Sequence, residues 1–466
     1  MSLSPLALAS ILGVPLVLGA ACLRLLGVTR RTDPLAYFGW AWLLGTLALG
    51  VVLSGWLWLG APLAAPALVP ALLLLAGLAW SAGRRVAEFR PEPGACGESR
   101  AERALFTAVL VFVLVATAAR IQLAPNELVL DGDEAHIWAA RAKALYVAGG
   151  FGQEYRAFLA AGRVFDHPDY PPLNPLLQTW VFAHAGAILH AENRLPVECM
   201  GLAYVLVAAG AVRRRLRAAV AALFLAALAS IGLLYFSVTT AFSDLMVAGA
   251  LFACFDLWQR HEEDGGHAWL ALLGCLAPFL LWSKNEGWML VLAGAGSIVL
   301  AGLVRRARVP RGILPWLVPL ALSGLYLLWF NRHFALTSDV LRGQGEQGLL
   351  TTIVRGGPRR LGQILEHLAR RALLPSTQLL LPAFLLVLVL APARAFARGR
   401  AAFTLTLLAA LAGYVVVYLG THWELQRHLE SSAHRVLFQL TPAAGLWLAL
   451  HVADVLPEYC ARQRSG

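Results

Sequence analysis

The chain has 466 residues, of which 59% are hydrophobic and 14% charged, with a formal net charge of +11. This composition excludes a soluble globular domain, because apolar runs of about 17–25 residues, each long enough to cross a bilayer as a helix, recur along nearly its whole length. The positive balance does not point to nucleic acid: no basic stripe interleaves with aromatics, and the arginines sit in short turns between apolar runs.

The runs lack the period-two alternation of barrel strands, so they are read as helices whose backbone groups are satisfied internally. Three leading spans are expected over 5–25, 36–58 and 64–82, followed by a polar linker from Gly83 to Arg103 containing Pro91, Pro93 and Gly94. A fourth span over 104–122 opens a long polar segment, 122–196. Spans over 196–212, 218–236, 243–259, 267–283, 287–304 and 313–331 come next. A second long segment, 332–373, precedes the spans 373–392, 402–420 and 434–453, and residues 454–466 form a tail. The expectation is an all-α polytopic membrane protein with about thirteen crossings. Residues 1–103 form a leading unit and 104–453 the main transmembrane domain.

Orientation follows from the arginines. The turns holding Arg30-Arg31, Arg84-Arg85, Arg213-Arg214-Arg215, Arg305-Arg306 with Arg311, and Arg394 through Arg400 are expected to face the cytoplasm. The N-terminus then lies outside and the tail inside, as in a multi-pass protein of a bacterial inner membrane. The first run lacks the basic start and small-residue cleavage site of a signal peptide and is read as a span. If 173–190 also crossed, every later basic turn would flip. That segment is therefore expected as an amphipathic or re-entrant helix on the outer side, with Gln178, His184 and His190 along it. The six cysteines (Cys22, Cys96, Cys199, Cys254, Cys275, Cys460) fall in spans or cytoplasmic segments, so no disulfide framework or zinc pattern is expected.

Chemistry-bearing residues gather at the outer ends. Only two of the 38 basic residues are lysines, Lys143 and Lys284, and both stand near clustered acids. Ionisable groups at the membrane boundary are costly and usually functional. After Asp131-Gly132, the run Asp133 to Lys143 reads as a helix. At 100° per residue Asp133, His136, Ala140 and Lys143 share a stripe that would face one cavity, with Glu134 beside it. The bland alternative is a capped surface helix. Pro171, Pro172 and Pro175 fix an extended approach and a helix start, holding His167, Asp169 and Tyr170 rigidly. Asp244, the Lys284-Asn285-Glu286-Gly287 element, and the stretch Trp423 to Arg435 with Arg427 and His434 complete the set. Each of these could equally be a helix-end charge snorkelling to water. The stretch Gly348 to Arg371 spaces Leu349, Ile353, Leu361, Ile364, Leu365 and Leu368 among arginines, as a helix lying in the interface would.

An outer Asp-Glu pair after a span, a later Tyr-Pro-Pro-Leu element and a non-crossing helix between spans resemble the GT-C fold. More narrowly they resemble the bacterial relatives of protein O-mannosyltransferases and of the lipid A aminoarabinose transferase, a glycosyltransferase family 39-like group. The similarity covers about residues 104–453 and includes the 284–287 element and the terminal Trp423–Arg435 stretch. It implies a polyprenyl-phosphate-linked sugar donor, an envelope glycan, lipid or protein acceptor reached from the outer side, and a first-loop aspartate as base. By motif position that base is Asp133, followed by Glu134. His136 and Trp138 stand where relatives often carry tyrosine, and Asn174 where some carry lysine.

The chemistry fits these residue types. Glycosyl transfer from a lipid phosphate needs a base for the acceptor proton and cations for the departing phosphate. Asp133 is the expected base, with Glu134 as its catalytic neighbour and with Glu134, His167 and Asp244 shaping the sugar and acceptor subsites; Asp169, Tyr170 and Glu286 are further expected substrate-binding residues. Lys284, Arg427, Arg435 and Lys143 are the expected phosphate ligands, with His434 nearby. The clustered acids are compatible with a divalent cation, but no ligand spacing compels one and no organic cofactor is indicated. Two other readings stay open: a transporter or flippase for a lipid-linked or anionic solute, and an O-antigen-ligase-type enzyme built on the late arginine-rich segment. The first would place charges at mid-membrane on broken helices. The second would not need the early acids.

Overall fold

The computed structural model describes residues 3–89, 98–124, 132–160, 167–304, 314–336, 348–374, 379–397, 399–421 and 423–464, without the side chains of 235, 314–316, 348–356 and 457–464. Asp131, His422, Cys96 and the Arg305–Arg311 turn lie outside the described residues. Among those described, all regular structure is helical.

Among the described residues, eight helices are long and apolar enough to cross a membrane: Pro5–Leu25, Ala36–Trp58, Ala65–Gly83, Arg100–Leu123, Glu192–Arg215, Glu286–Val304, Ala401–Leu419 and Leu425–Leu456. A ninth forms if Ala218–Ala229 and Gly232–Val238, bent by 58° at their junction, count as one span. Other expected spans take different forms. Ser243–Asp264 is a continuous helix, but it carries Asp256 and Arg260 in its interior. His267–Leu276 passes at Ala277 into Pro278–Ser283, where the proline removes a backbone donor. Leu380–Leu390 has 11 residues, too few to cross alone.

The segment expected as an amphipathic or re-entrant outer helix is Leu173–Ala185, 13 residues long and buried from Leu173 through Ala183. Burial excludes the amphipathic version. Its polar residues face inward on a hydrogen-bonded chain: Asn193 donates to Gln178, Gln178 to Asn174 at 2.9 Å, and Asn174 to the Ala241 carbonyl at 2.6 Å. Trp180 donates to the Ile11 carbonyl at 3.3 Å and His184 pairs with Ser10 at 2.9 Å, so the segment is wedged against the leading helices. Satisfied buried amides fix a packing geometry that apolar contacts alone leave looser.

The described arginine-bearing turns meet at one end of the bundle. Arg213 pairs with Glu98, Arg214 with Asp264 at 2.6 Å, Arg217 with Glu102 at 2.9 Å and Arg400 with Asp454. At their centre Arg260, fully buried, binds Asp33 at 2.7 Å and Asp256 at 2.8 Å. The Trp40 and Trp269 rings lie 4.9 and 5.1 Å from its guanidinium. Asp33 also accepts from the backbone of Leu35 and Ala36, capping the second helix. A buried charge requires this degree of pairing.

The leading helices cross where side chains vanish. A Cβ added at Gly19 would fall 1.7 Å from the Ala41 carbonyl oxygen, and one at Gly45 equally close to that of Pro15. Small residues at such crossings let apolar helices approach closely. Gly19→Val should therefore cost about 1–3 kcal/mol by overpacking. Gly13→Ala, whose Cβ would enter open space, should leave stability unchanged or slightly raised. Thermal unfolding of the two variants in detergent micelles separates the cases.

Candidate functional site

At the other end of the bundle from the arginine turns, a cavity of about 750 Å³ is lined from widely separated chain segments. It contains Asp133, His167, Asp169, Tyr170, Lys284, Glu286, Arg427, His434 and Arg435, nine of the residues expected from sequence. Asp244 lies directly behind its wall, bonded to Lys284.

The centre of the site is the break between Pro278–Ser283 and Glu286–Val304. Lys284 leaves the first helix in extended conformation, and Asn285 completes the turn. Gly287 permits the tight return, since a Cβ there would fall 2.0 Å from the Leu280 carbonyl oxygen. The Lys284 ammonium, 2% exposed, lies 3.0 Å from Asp244 and 2.9 Å from Glu286. Burial alone would push its pKa down. The Asp244 and Glu286 carboxylates outweigh burial and hold it well above the ordinary lysine range. Asn285 donates to Asp169 at 2.6 Å, tying this turn to the His167–Tyr170 loop.

Asp244 sits in the first turn of Ser243–Asp264, where the helix dipole favours a carboxylate. Gln439 of the last helix donates to it at 2.6 Å, and Tyr414 donates to Gln439. Arg435, one turn earlier on the same last helix, pairs with Asp133 and lies 4.0 Å from the second Asp244 oxygen. Lys284 is thus held by Asp244 and Glu286, Arg435 faces Asp133 and Asp244, and Asp169 joins the cavity wall through Asn285. Of the carboxylates whose pairs are described, Asp133 and Glu286 face the open volume most, with side chains 25% and 21% exposed against 3% for Asp244.

Tyr170 stacks between Trp138, at 5.4 Å, and His167, at 4.8 Å. His167 has φ +51°, a left-handed conformation that costs a non-glycine residue about 1–2 kcal/mol. The stack and the proline pair that follows hold it there. Burial, then the Glu286 charge, push the Tyr170 phenol well above its ordinary range, so it stays a neutral donor. Arg427 lines the mouth, exposed, and makes no ion pair or side-chain hydrogen bond among the described residues. The helix Gly348–Ala372 covers the neighbouring rim. Ile364, Leu368 and Ala372 are buried along one face, and Arg360 donates to the carbonyls of Leu419 and Thr421 at 3.1 Å. The stretch is helical as expected, with Leu361 and Leu365, 38% and 51% exposed, outside the buried face.

Two expected members lie elsewhere. Glu134 is buried outside the cavity, where it accepts from the Ala241 backbone at 3.0 Å and pairs with Arg194 at 3.4 Å. Lys143 is half-buried and not among the lining residues. The stripe that would have aligned Asp133 with His136 and Lys143 assumed 3.6 residues per turn. Residues Glu134–Ala139 instead form a π-helical stretch, which widens the turn and moves those side chains off the Asp133 face. Among the described residues, no group of three His, Cys, Asp or Glu side chains is arranged to hold a metal ion.

Gln439, Tyr414, Arg194 and Arg141 are not among the residues expected from sequence. Gln439 carried a usable signal, a carboxamide inside an apolar span. Arg141 is fully buried and donates to the Tyr170 carbonyl, and its Nε and Nη2 have no hydrogen-bond partner among the described residues.

No protein-family model, curated protein or solved structure matches this chain.

The Lys284 cluster makes a stability prediction. Lys284→Met should cost about 3–5 kcal/mol by leaving Asp244 buried without its principal cation, and Lys284→Met with Asp244→Leu should recover part of the loss. The folded-state pKa of Lys284 is raised, so its contribution is fully present below the unfolded lysine pKa of about 10.4 and is lost only as pH climbs through the folded value. Chemical denaturation between pH 6 and 10 should show no titration assignable to it.

Proposed function

We propose that the protein is a GT-C-type membrane glycosyltransferase, with about thirteen crossings and its cavity on the outer face of a bacterial inner membrane. It would move a sugar from a polyprenyl-phosphate donor to an acceptor hydroxyl. The observation that carries this reading is the convergence of carboxylates, cations and aromatic rings in one cavity of about 750 Å³, at the end of the bundle away from the arginine turns.

The roles follow from exposure and pairing. Asp133 faces the open volume and is oriented by Arg435, so it accepts the proton of the acceptor hydroxyl. The acceptor oxygen then forms a bond to the anomeric carbon as the bond from that carbon to the phosphate oxygen breaks. The electron pair leaves with the lipid phosphate, and in-line attack inverts the anomeric centre. Lys284 and Arg435 are committed to carboxylates, which assigns them to organising the site. Arg427, uncommitted at the mouth, is the cation for the departing phosphate. His167 and Tyr170 line the cavity where a sugar would lie, and Trp138, buried behind Tyr170, holds that ring in place.

Purified protein incubated with polyprenyl-phosphate sugars should release lipid phosphate in step with glycosylated acceptor; transport without release would reject an enzyme. Asp133→Asn should lower turnover by about 10²–10⁴-fold, the usual contribution of a positioned base, with little change in donor KM. Arg427→Ala should instead raise donor KM. Full turnover by Asp133→Asn at matched membrane levels would remove Asp133 from the role of base.

A further inference from the structure

The three leading helices contribute no residue to the acid-rich cavity. Between their arginine-bearing ends lies a second cavity, of about 490 Å³. The Gly19–Ala41 and Gly45–Pro15 crossings clamp the first two helices together. Beyond them the chain turns away through Gly27, at φ +72°. Ala65–Gly83 meets the first helix where Gly83 abuts the Arg24 backbone, at 2.8 Å from a built Cβ. The space left between the three helix ends opens sideways, past Val17, Phe38 and Trp80, which are 47%, 38% and 40% exposed.

The walls differ in kind. One end presents Arg24, Arg30 and Arg31. Arg24 and Arg30 make no side-chain hydrogen bond or ion pair among the described residues; the Arg30 guanidinium rests 4.7 Å over the Phe38 ring. Arg31, 74% exposed, lies 3.8 Å from Glu88, whose carboxylate also accepts from Thr29. Three guanidiniums therefore face one carboxylate. The other end is hydrocarbon, made by Leu16, Val17, Ala20 and Trp80 on helices long and apolar enough to lie in a bilayer.

Guanidinium groups bind phosphate through paired donors, and basic pockets between membrane helices suit anionic headgroups. A free phosphate would use only the polar end, and a zwitterionic lipid would bring an amine against the arginines. We infer that this cavity binds an anionic glycerophospholipid, its phosphate on Arg24 and Arg30 and an acyl chain along Leu16, Val17 and Trp80. This inference needs only that the chain is embedded in a membrane, and it stands apart from the glycosyltransferase reading.

Native mass spectrometry of the full-length protein in detergent, titrated with phosphatidylglycerol or phosphatidylcholine, tests it. One phosphatidylglycerol should be retained at least tenfold more tightly than phosphatidylcholine. At about 1 kcal/mol per arginine, R24Q/R30Q should weaken that binding on the order of 30-fold. R84Q/R85Q, which removes the same charge from exposed positions outside the cavity, should leave it intact. Equal retention of both lipids by the unaltered protein, equal losses in the two double variants, or displacement of the lipid by millimolar inorganic phosphate would each overturn the inference. The first and third comparisons hold whether or not R24Q/R30Q folds.

Discussion

A buried ammonium between two carboxylates sets the geometry of this protein's candidate site. Lys284 can reach Asp244 and Glu286 together only because two helices break and fold back at Asn285 and Gly287. Asp244 in turn takes Gln439 and approaches Arg435, so the last helix is pinned to the same point. Arg435 then holds Asp133. The walls of the cavity are thus linked by a single chain of charged and amide contacts. In a low-dielectric setting each member of such a chain is costly to leave unpaired, which makes the arrangement stiff.

The helix Ser243–Asp264 carries charge at both ends and uses it differently. Asp244 and Arg260 are separated by about 24 Å along its axis at 1.5 Å per residue. At the Asp244 end the pairs line open space that a ligand can enter. At the Arg260 end the ions are closed over by Trp40 and Trp269 and by neighbouring arginine turns. The first is suited to chemistry, the second to holding helix ends in register. The leading helices belong to the second group, and the small-residue crossings that fasten them leave a cavity at their arginine ends.

Much of this was legible in the sequence, for identifiable reasons. Helix positions follow from long apolar runs, and the rarity of lysine draws attention to Lys284, expected as a phosphate ligand and found committed to Asp244 and Glu286. Lys143, chosen on the same ground, lies outside the cavity. Rarity signals a need for an ammonium without saying where it points. The π-helical stretch at Glu134–Ala139 was invisible because propensity does not distinguish a wider turn from an ordinary one, and it turned Glu134 toward Arg194. Leu173–Ala185 is expected as an amphipathic or re-entrant helix, and its buried polar residues meet one another instead of forming an exposed polar face. Partners so distant in sequence, such as Asp133 and Arg435, are fixed only by tertiary packing.

The proposed transfer requires the two charged ends to lie on opposite sides of a membrane, with the acid-rich cavity opening away from the cytosol. Side-specific labelling of single cysteines introduced at Arg427 and Arg84, in intact cells over the background of the native thiols, tests this most directly. A membrane-impermeant maleimide should modify Arg427→Cys at once and Arg84→Cys only after permeabilisation. The reverse pattern, or equal access to both, would contradict it.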